Sequence, residues 1–375
     1  MTSDFASFDG HIWLNCAHQG PLPLRAAHAA AEAVAWKQRP FELTQERFRG
    51  VPTRLRQALG RLVSASPDDV VLANSASYGL HLVANGMPWR AGDEVVVMDT
   101  DFPSDILPWL RLEARGVVVR RARPRGYVFE PDELAALLGP NTRLLCLTWV
   151  HSFSGWAIDL DAIGRLCCER DVAFVVNASQ AIGARPLDVS AAPVDAVISV
   201  GFKWLCGPYG TGFCWLRPAF REQLEPQKAY WLSMLTADDL QGDVDVRLKA
   251  GVGIRAFDVF GTANFFNFVP WTASVELLLE RGIPAIADHD ERLVARFLDR
   301  LDRAKYSVTS PLEPPRRSTL VVFSHVDGTR TQAAYDALLR ANIHGAMRTG
   351  RIRVSPHLHN TPDDIDRAID VLNRV

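Results

Sequence analysis

The sequence predicts an α/β fold, a large domain with a mostly parallel sheet sandwiched by helices, plus a smaller α+β domain. Three observations carry that expectation. Apolar strand-like runs alternate with helix-like runs at regular spacing between residues 70 and 216, the pattern of successive strand–helix–strand units. Several of those runs, such as Phe174-Val175-Val176, are continuously apolar, as a sheet covered on both faces requires. After about residue 270 strands become rarer and the helices more polar.

Taken in order, residues 21–64 read as helical, with "LRAAHAAAEAVAWKQ" rich in Ala and other helix formers. Val70-Val71-Leu72 is a short strand, and "SASYGLHLVA" a helix with Ser at its entry. "GDEVVVMDT" is a strand, "FPSDILPWLRLEARG" a helix and "VVVRRARP" a strand. "DELAALLG" and "RLLCLTWV" give the next helix and strand, and "DLDAIGRLCCERD" and "VAFVVNAS" another pair. "VDAVISVGF" and "GTGFCWLRP" are two further strands. Beyond them "WTASVELLLERG", "DHDERLVARFLDRLDR" and "TQAAYDALLRAN" are helices, "STLVVFSHV" and "RIRVSPHL" strands, and "SPLEPPRRS" a Pro-rich turn. The expected division is a large unit at 22–265 and a small one built from 1–21 and 266–375.

Composition narrows the function classes. The chain has 375 residues, 48% hydrophobic and 22% charged, with net charge −2, an ordinary globular balance. No global basic field points to nucleic acid; "RRARPR" follows a strand and reads as a solvated loop. The first twenty residues lack a positive n-region and an apolar h-region, and no run of about 18 apolar residues occurs, so neither a secretory signal nor a membrane span is expected and the expected location is cytoplasmic. The six cysteines form no C-x-x-C pair, so buried free thiols are expected and a cysteine zinc site is not.

In an open α/β sheet, ligands sit beyond the carboxyl ends of the strands. There the sequence places Asn74-Ser75-Ala76-Ser77, Asp101-Phe102-Pro103-Ser104-Asp105, His151-Ser152, Asn177 with Gln180, and Phe202-Lys203-Trp204. Each has a plainer reading. Ser75 and Ser77 suit a helix cap, Phe102 a core, Ser152 a loop and Asn177 a turn. Lys203 does not fit so easily. It follows an apolar strand and is flanked by Phe202, Trp204 and Leu205, although lysine is almost never buried unless paired or functional. Desolvation lowers a lysine pKa and favours a Schiff-base amine. One cofactor uses all of these features, pyridoxal 5'-phosphate. A helix N-terminus would hold its phosphate, an aromatic face its ring, a strand-end side chain its nitrogen and Lys203 its aldehyde.

The chain resembles the class V aminotransferases of fold type I, and within them the isopenicillin-N-epimerase-like and kynureninase-like branch. The motifs run nearly end to end: "WLNCAHQGPLP", "VLANSASYGLHLVA", "GDEVVVMDTDFPSDILPW", "HSFSG", "NASQAIGARPLDV", "VDAVISVGFKWLCGPYGTGF", "FDVFGTANF" and "GRIRVSPHLHNTPDDIDRAIDVL". The resemblance implies that Lys203 is the Schiff-base lysine and proton shuttle at Cα. Ala76 and Ser77 would bind the phosphate, Phe102 would stack on the ring, and Asp105 would lie near the site. Ser152 would face the 3′-oxygen, and Gln180 would sit under the Schiff-base edge. Thr262 would complete a phosphate site across a homodimer interface. Arg353 would bind the substrate carboxylate by a bidentate pair, with Asn15 helping.

Three departures from the family pattern bear on the reaction. The residues before the lysine read Val200-Gly201-Phe202 where the family has polar phosphate contacts. "NIHGAMRTGRIR" lacks the cysteine that desulfurases carry before the carboxylate-binding Arg, which argues against sulfur transfer through a persulfide. Asn177 stands where the family has an Asp that pairs with the pyridine nitrogen. An opposite charge at contact moves a pKa by about 1–3 units, and a neutral amide does not hold that proton, so a weaker electron sink is expected. The favoured activity is therefore β-elimination from an amino acid, as in carbon–sulfur cleavage of a cysteine conjugate. Decarboxylation with oxidative deamination, epimerisation and transamination are the alternatives, and a non-catalytic protein that keeps the fold is the alternative of another class.

Overall fold

A computed structural model describes residues 2–226, 228–235, 239, 241, 246–249 and 251–375. Thirteen strands are named among the described residues. They are β1 (Ile12–Trp13), β2 (Val70–Ala73), β3 (Glu94–Met98), β4 (Val118–Ala122), β5 (Thr142–Thr148), β6 (Ala173–Asn177), β7 (Ala196–Val200), β8 (Gly212–Leu216), β9 (Tyr306–Val308), β10 (Val321–His325), β11 (Ile343–His344), β12 (Ala346–Arg348) and β13 (Arg351–Val354).

Seven strands form the central sheet in the order β2-β8-β7-β6-β5-β3-β4. β4, β3, β5, β6 and β7 run parallel, and β8 is antiparallel to both neighbours. The reversal follows from chain length. A parallel return needs a crossover of a dozen or more residues, usually helical, and only the helix-free loop 201–211 separates β7 from β8. The apolar runs alternate between two faces. Leu72, Val96, Leu145, Leu147, Phe174, Val176 and Phe213 pack on one side; Val71, Val95, Val97, Leu144, Cys146, Val175 and Ile198 pack on the other. Each such side chain contributes roughly 1.5–3 kcal/mol when fully buried.

Two predicted helices differ in form. The helical reading of 21–64 resolves into Leu24–Gln38 and Gln45–Leu62, because Pro40 disfavours helix at the residue before it. "FPSDILPWLRLEARG" forms three short turns, Pro103–Asp105, Leu107–Leu110 and Arg111–Arg115, since Pro103 and Pro108 have no N–H to continue a helix.

The C-terminal part builds an antiparallel sheet in the order β12-β13-β10-β9. Helices Ile283–Arg300 and Pro362–Leu372 pack with it around Leu293, Phe297, Phe323, Ile352 and Ile369. The N-terminal segment joins this part: β1 pairs in parallel with β11, and Asn15 bridges to Ser355. Helix Phe265–Arg281 packs against Leu24–Gln38 and Gln45–Leu62.

Candidate active site

The carboxyl ends of β2, β3, β5, β6 and β7 meet the N-terminal segment and β13 in one place. Lys203 lies three residues beyond β7. Its side chain is partly buried, with Nζ 5.9 Å from the centroid of the Phe102 ring. Burial first, then the positive charge of Arg353, push its ammonium down to about 8, against the charge of Asp105. Lys203 is therefore an amine that loses its proton in the mildly alkaline range. The loop around it is fixed by close backbone packing. Gly20 N–H donates to the Phe202 carbonyl (2.9 Å), and a β-carbon on Gly20 would overlap the Lys203 carbonyl. A β-carbon on Gly201 would overlap Thr211 and Trp271. That explains one departure read in the sequence, because position 201 has no room for a polar side chain. Phe202 instead packs on Tyr209, with centroids 4.7 Å apart.

β2 delivers the chain to helix Ala76–Gly86, whose N-cap Ser75 accepts from Tyr78 N–H at 3.2 Å. The N–H groups of the first turn have no intrahelical partner and carry the positive end of the helix dipole. Ala76 is buried and Ser77 exposed there. Gly79 allows the close approach that fixes this helix end, since a β-carbon would press on Ile198 of β7. After β3, Phe102 presents an exposed face and lies near-parallel to Phe153, with centroids 6.2 Å apart and planes 23° apart. Asp105, one turn further, is buried.

At the end of β6, Asn177 is buried and fully engaged. Its Nδ2 donates to both oxygens of Asp105, at 2.8 and 3.0 Å, and its Oδ1 accepts from Ser179 N–H at 3.0 Å. The amide and the carboxylate thus form one unit, spanning β6 and the turn after β3. Burial pushes the Asp105 carboxyl up to about 7, while the Asn177 bond and Lys203 pull the other way. Gln180 ties three segments together. Its Nε2 donates to the Ala17 carbonyl (3.0 Å) and reaches Ser152 Oγ (3.4 Å), and its Oε1 accepts from Trp204 Nε1 (3.1 Å).

Arg353 reaches in from β13. Its Nη1 donates to the Ser152 carbonyl at 3.0 Å, while its buried Nε has no partner. Asn15 Nδ2 donates to Gly345 and its buried Oδ1 is likewise unpartnered. An unsatisfied buried guanidinium N–H costs free energy, and a carboxylate would satisfy it. Thr262 lies half-buried in the turn after Gly261, with no hydrogen bond to these residues.

Two cations escaped the sequence reading. Arg348 on β12 lies close enough to depress the Arg353 guanidinium to about 10, second to burial. Lys228 sits 4.2 Å from the centroid of the Tyr78 ring beside the first turn of Ala76–Gly86, and donates to the Asp258 carbonyl. Arg348 and Lys228 belong to no motif read in the sequence. His18 on the N-terminal segment is pushed down first by burial and then by Arg348, Arg353 and Lys203, so three positive charges converge at the opening.

A helix N-terminus, an exposed aromatic face, a depressed lysine, a buried carboxylate and an unpartnered buried guanidinium together fit an aldehyde–phosphate cofactor joined to an amino acid. Known proteins share both sequence and fold with this chain. A probable cysteine desulfurase of Methanothermobacter thermautotrophicus is 26% identical over 97% of this chain and 94% of its own. An isopenicillin N epimerase of Streptomyces clavuligerus is 26% identical over 96% and 94%. Among solved structures, the complex of the cystine C-S lyase C-DES with its reaction product cysteine persulfide has a TM-score of 0.87 at 22% identity, covering 97% of each chain. A second C-DES structure holds glycine covalently linked to its pyridoxal phosphate cofactor. The apo cysteine desulfurase of Thermococcus onnurineus has a TM-score of 0.84 at 18% identity, covering 97% of this chain and 94% of its own. These likenesses establish a shared fold, that of fold type I pyridoxal phosphate enzymes. The family model for Aminotransferase class-V matches residues 44–367, and the chain belongs to that family.

Proposed function

We propose that this chain is a pyridoxal-phosphate-dependent enzyme that cleaves the Cβ–sulfur bond of a cysteine conjugate by β-elimination. The balanced reaction takes R–S–CH₂–CH(NH₃⁺)–COO⁻ and water to the thiol, pyruvate and ammonium. The cofactor, when bound, supplies an electron-withdrawing ring that acidifies the substrate's Cα–H.

The chain's own residues divide the remaining work. Lys203 holds the cofactor aldehyde at rest, and its depressed pKa supports a role as the base that takes the proton at Cα. The free N–H groups of Ala76 and Ser77, with the Ser77 hydroxyl, bind the phosphate. Phe102 would stand over the ring, and Ser152 and Gln180 would hold its 3′-oxygen edge. Arg353, through its unpartnered Nε, binds the substrate carboxylate with Asn15 beside it. Arg348 adds positive charge to the same opening and favours an anionic substrate.

The observation that carries the choice of reaction is the Asn177–Asp105 pair. No charged side chain stands at 177. The nearest carboxylate, Asp105, is half-protonated near neutral pH and hydrogen-bonded to the amide. The charge available to hold a ring proton is thus weaker and pH-dependent, which favours expulsion of a good leaving group over long-lived storage of charge in the ring. The test incubates the cofactor-loaded enzyme with an S-aryl cysteine and analyses products by mass. Thiol and pyruvate in equal amounts are expected. Epimerised substrate, a decarboxylated amine or a pyridoxamine-form cofactor in their place would overturn the elimination reading. Asn177→Asp should raise transamination relative to elimination. A chain that takes up no cofactor, with no visible absorption lost in Lys203→Ala, would overturn the enzyme reading altogether and favour a binding protein.

A further inference from the structure

Cys16, Cys206 and His357 meet in the interior behind the lysine loop, each fully buried. One ligand atom from each lies within 4.8 Å of the other two. Their chain positions are far apart: Cys16 is on the N-terminal segment, Cys206 three residues after Lys203, and His357 four residues after Arg353. We propose that these three side chains form a structural Zn²⁺ site that fastens the N-terminal segment, the lysine loop and the segment after β13 to one another.

Four features favour a metal over plain packing. The two sulfurs are the soft donors that zinc takes as thiolates, and imidazole is its usual nitrogen partner. Asp290 Oδ2 lies 2.7 Å from His357 Nδ1, the carboxylate–histidine arrangement that fixes the tautomer and leaves Nε2 to ligate. The three side chains already meet, the Cys206 thiol hydrogen-bonding with Cys16 and with His357. Cys16 Sγ is 3.6 Å from the Lys203 carbonyl and Cys206 Sγ 3.9 Å from the Trp204 carbonyl. Finally, Cys206 adopts φ +49°, a left-handed conformation that costs a residue with a β-carbon roughly 1–2 kcal/mol. Such strain persists where the side chain is needed.

Charge balance selects the ion. Two thiolates neutralise one divalent cation, whereas a monovalent ion would leave a further unpaired negative charge in the interior. A disulfide between Cys16 and Cys206 would use only two of the three groups. On loading, two thiol protons and any proton on His357 Nε2 leave for solvent. Nε2 exchanges its contact with the Trp204 carbonyl (3.1 Å) for the metal bond. These three side chains leave the fourth position of a tetrahedral site for one further donor.

The site is testable on the cofactor-loaded chain, refolded or purified in Co²⁺ and then exchanged with Zn²⁺. Expected are one Co²⁺ per chain, a thiolate-to-cobalt charge-transfer band, tetrahedral d–d bands at longer wavelength than the cofactor's, and their loss when Zn²⁺ displaces Co²⁺. Cys206→Ser should abolish the charge-transfer band and reduce the stoichiometry to about one-tenth of the wild-type value or less. Asp290→Asn should weaken affinity about 10–100-fold, and Cys168→Ser, which changes an exposed thiol, should leave it intact. If Cys206→Ser fails to fold, the wild-type and Cys168→Ser spectra still decide. A chain with both thiols reduced and no charge-transfer band overturns the proposal, as does a Cys16–Cys206 disulfide found without metal.

Discussion

Asp105 is the residue on which the electrostatics of the site turn. Burial raises its carboxyl from the usual carboxylate range to about 7. Between about pH 4 and 7 the folded chain therefore keeps a proton that the unfolded chain has released, so stability falls as pH rises through that window. Asp105→Asn keeps an acceptor for Asn177 and removes the titration. Without cofactor, its unfolding free energy, read from denaturant titration, should exceed wild type at pH 8 and converge with it near pH 4, a gap on the order of a few kcal/mol at most. An identical pH profile in both chains would place the carboxylate in water. The sequence showed Asn177 and Asp105 separately, 72 residues apart. It did not show that they bind each other, because that depends on the register between β6 and the turn after β3. In the sequence reading Asn177 stood alone against the ring nitrogen; in the fold its amide is hydrogen-bonded to Asp105 and to Ser179 N–H.

At the scale of the element, helix Ala76–Gly86 is the part most completely legible in advance. Its cap, its small residues and its apolar face are all local. Ser77→Ala should lower cofactor affinity about tenfold, the loss of one hydrogen bond to a charged group, with little change in melting temperature because Ser77 is exposed. Equilibrium dialysis against the cofactor reads the first and thermal unfolding the second. The β8 strand was legible as a strand but not as an antiparallel one until the loop before it was seen to lack a helix. The turns at 103–115 were misread as one helix because apolar periodicity outweighed two prolines. Arg353 was found through its motif, whereas Arg348, on the adjacent β12, emerged only from the pairing of β12 with β13.

For the whole molecule, the unplaced residue is Thr262. It is flanked by Phe260, 59% exposed, and Phe266, 50% exposed, and among the described residues no hydrogen bond links it to another candidate site residue. A second copy of the chain would cover these rings and bring Thr262 to the partner's phosphate site. Sedimentation velocity should therefore find a dimer, with Phe260→Ser/Phe266→Ser shifting it toward monomer and weakening cofactor retention. A wild-type monomer that holds cofactor fully would remove Thr262 from the site. Among the described residues no helix is long and apolar enough to cross a membrane.

The N-terminal segment has a consequence for how the protein is made. Ile12 pairs with Ile343 and Asn15 with Ser355, so this segment leaves the ribosome on the order of 300 residues before its partners. At about 5–20 residues per second, it waits for tens of seconds with its strand edge unpaired. Gly20 already packs on the lysine loop, but nothing yet fixes the other end. The carboxylate-binding arginine and the segment that braces it arrive last. A chain released early would carry the lysine and the phosphate helix without the rest, and the active site is thus among the last parts of the molecule to be assembled during synthesis.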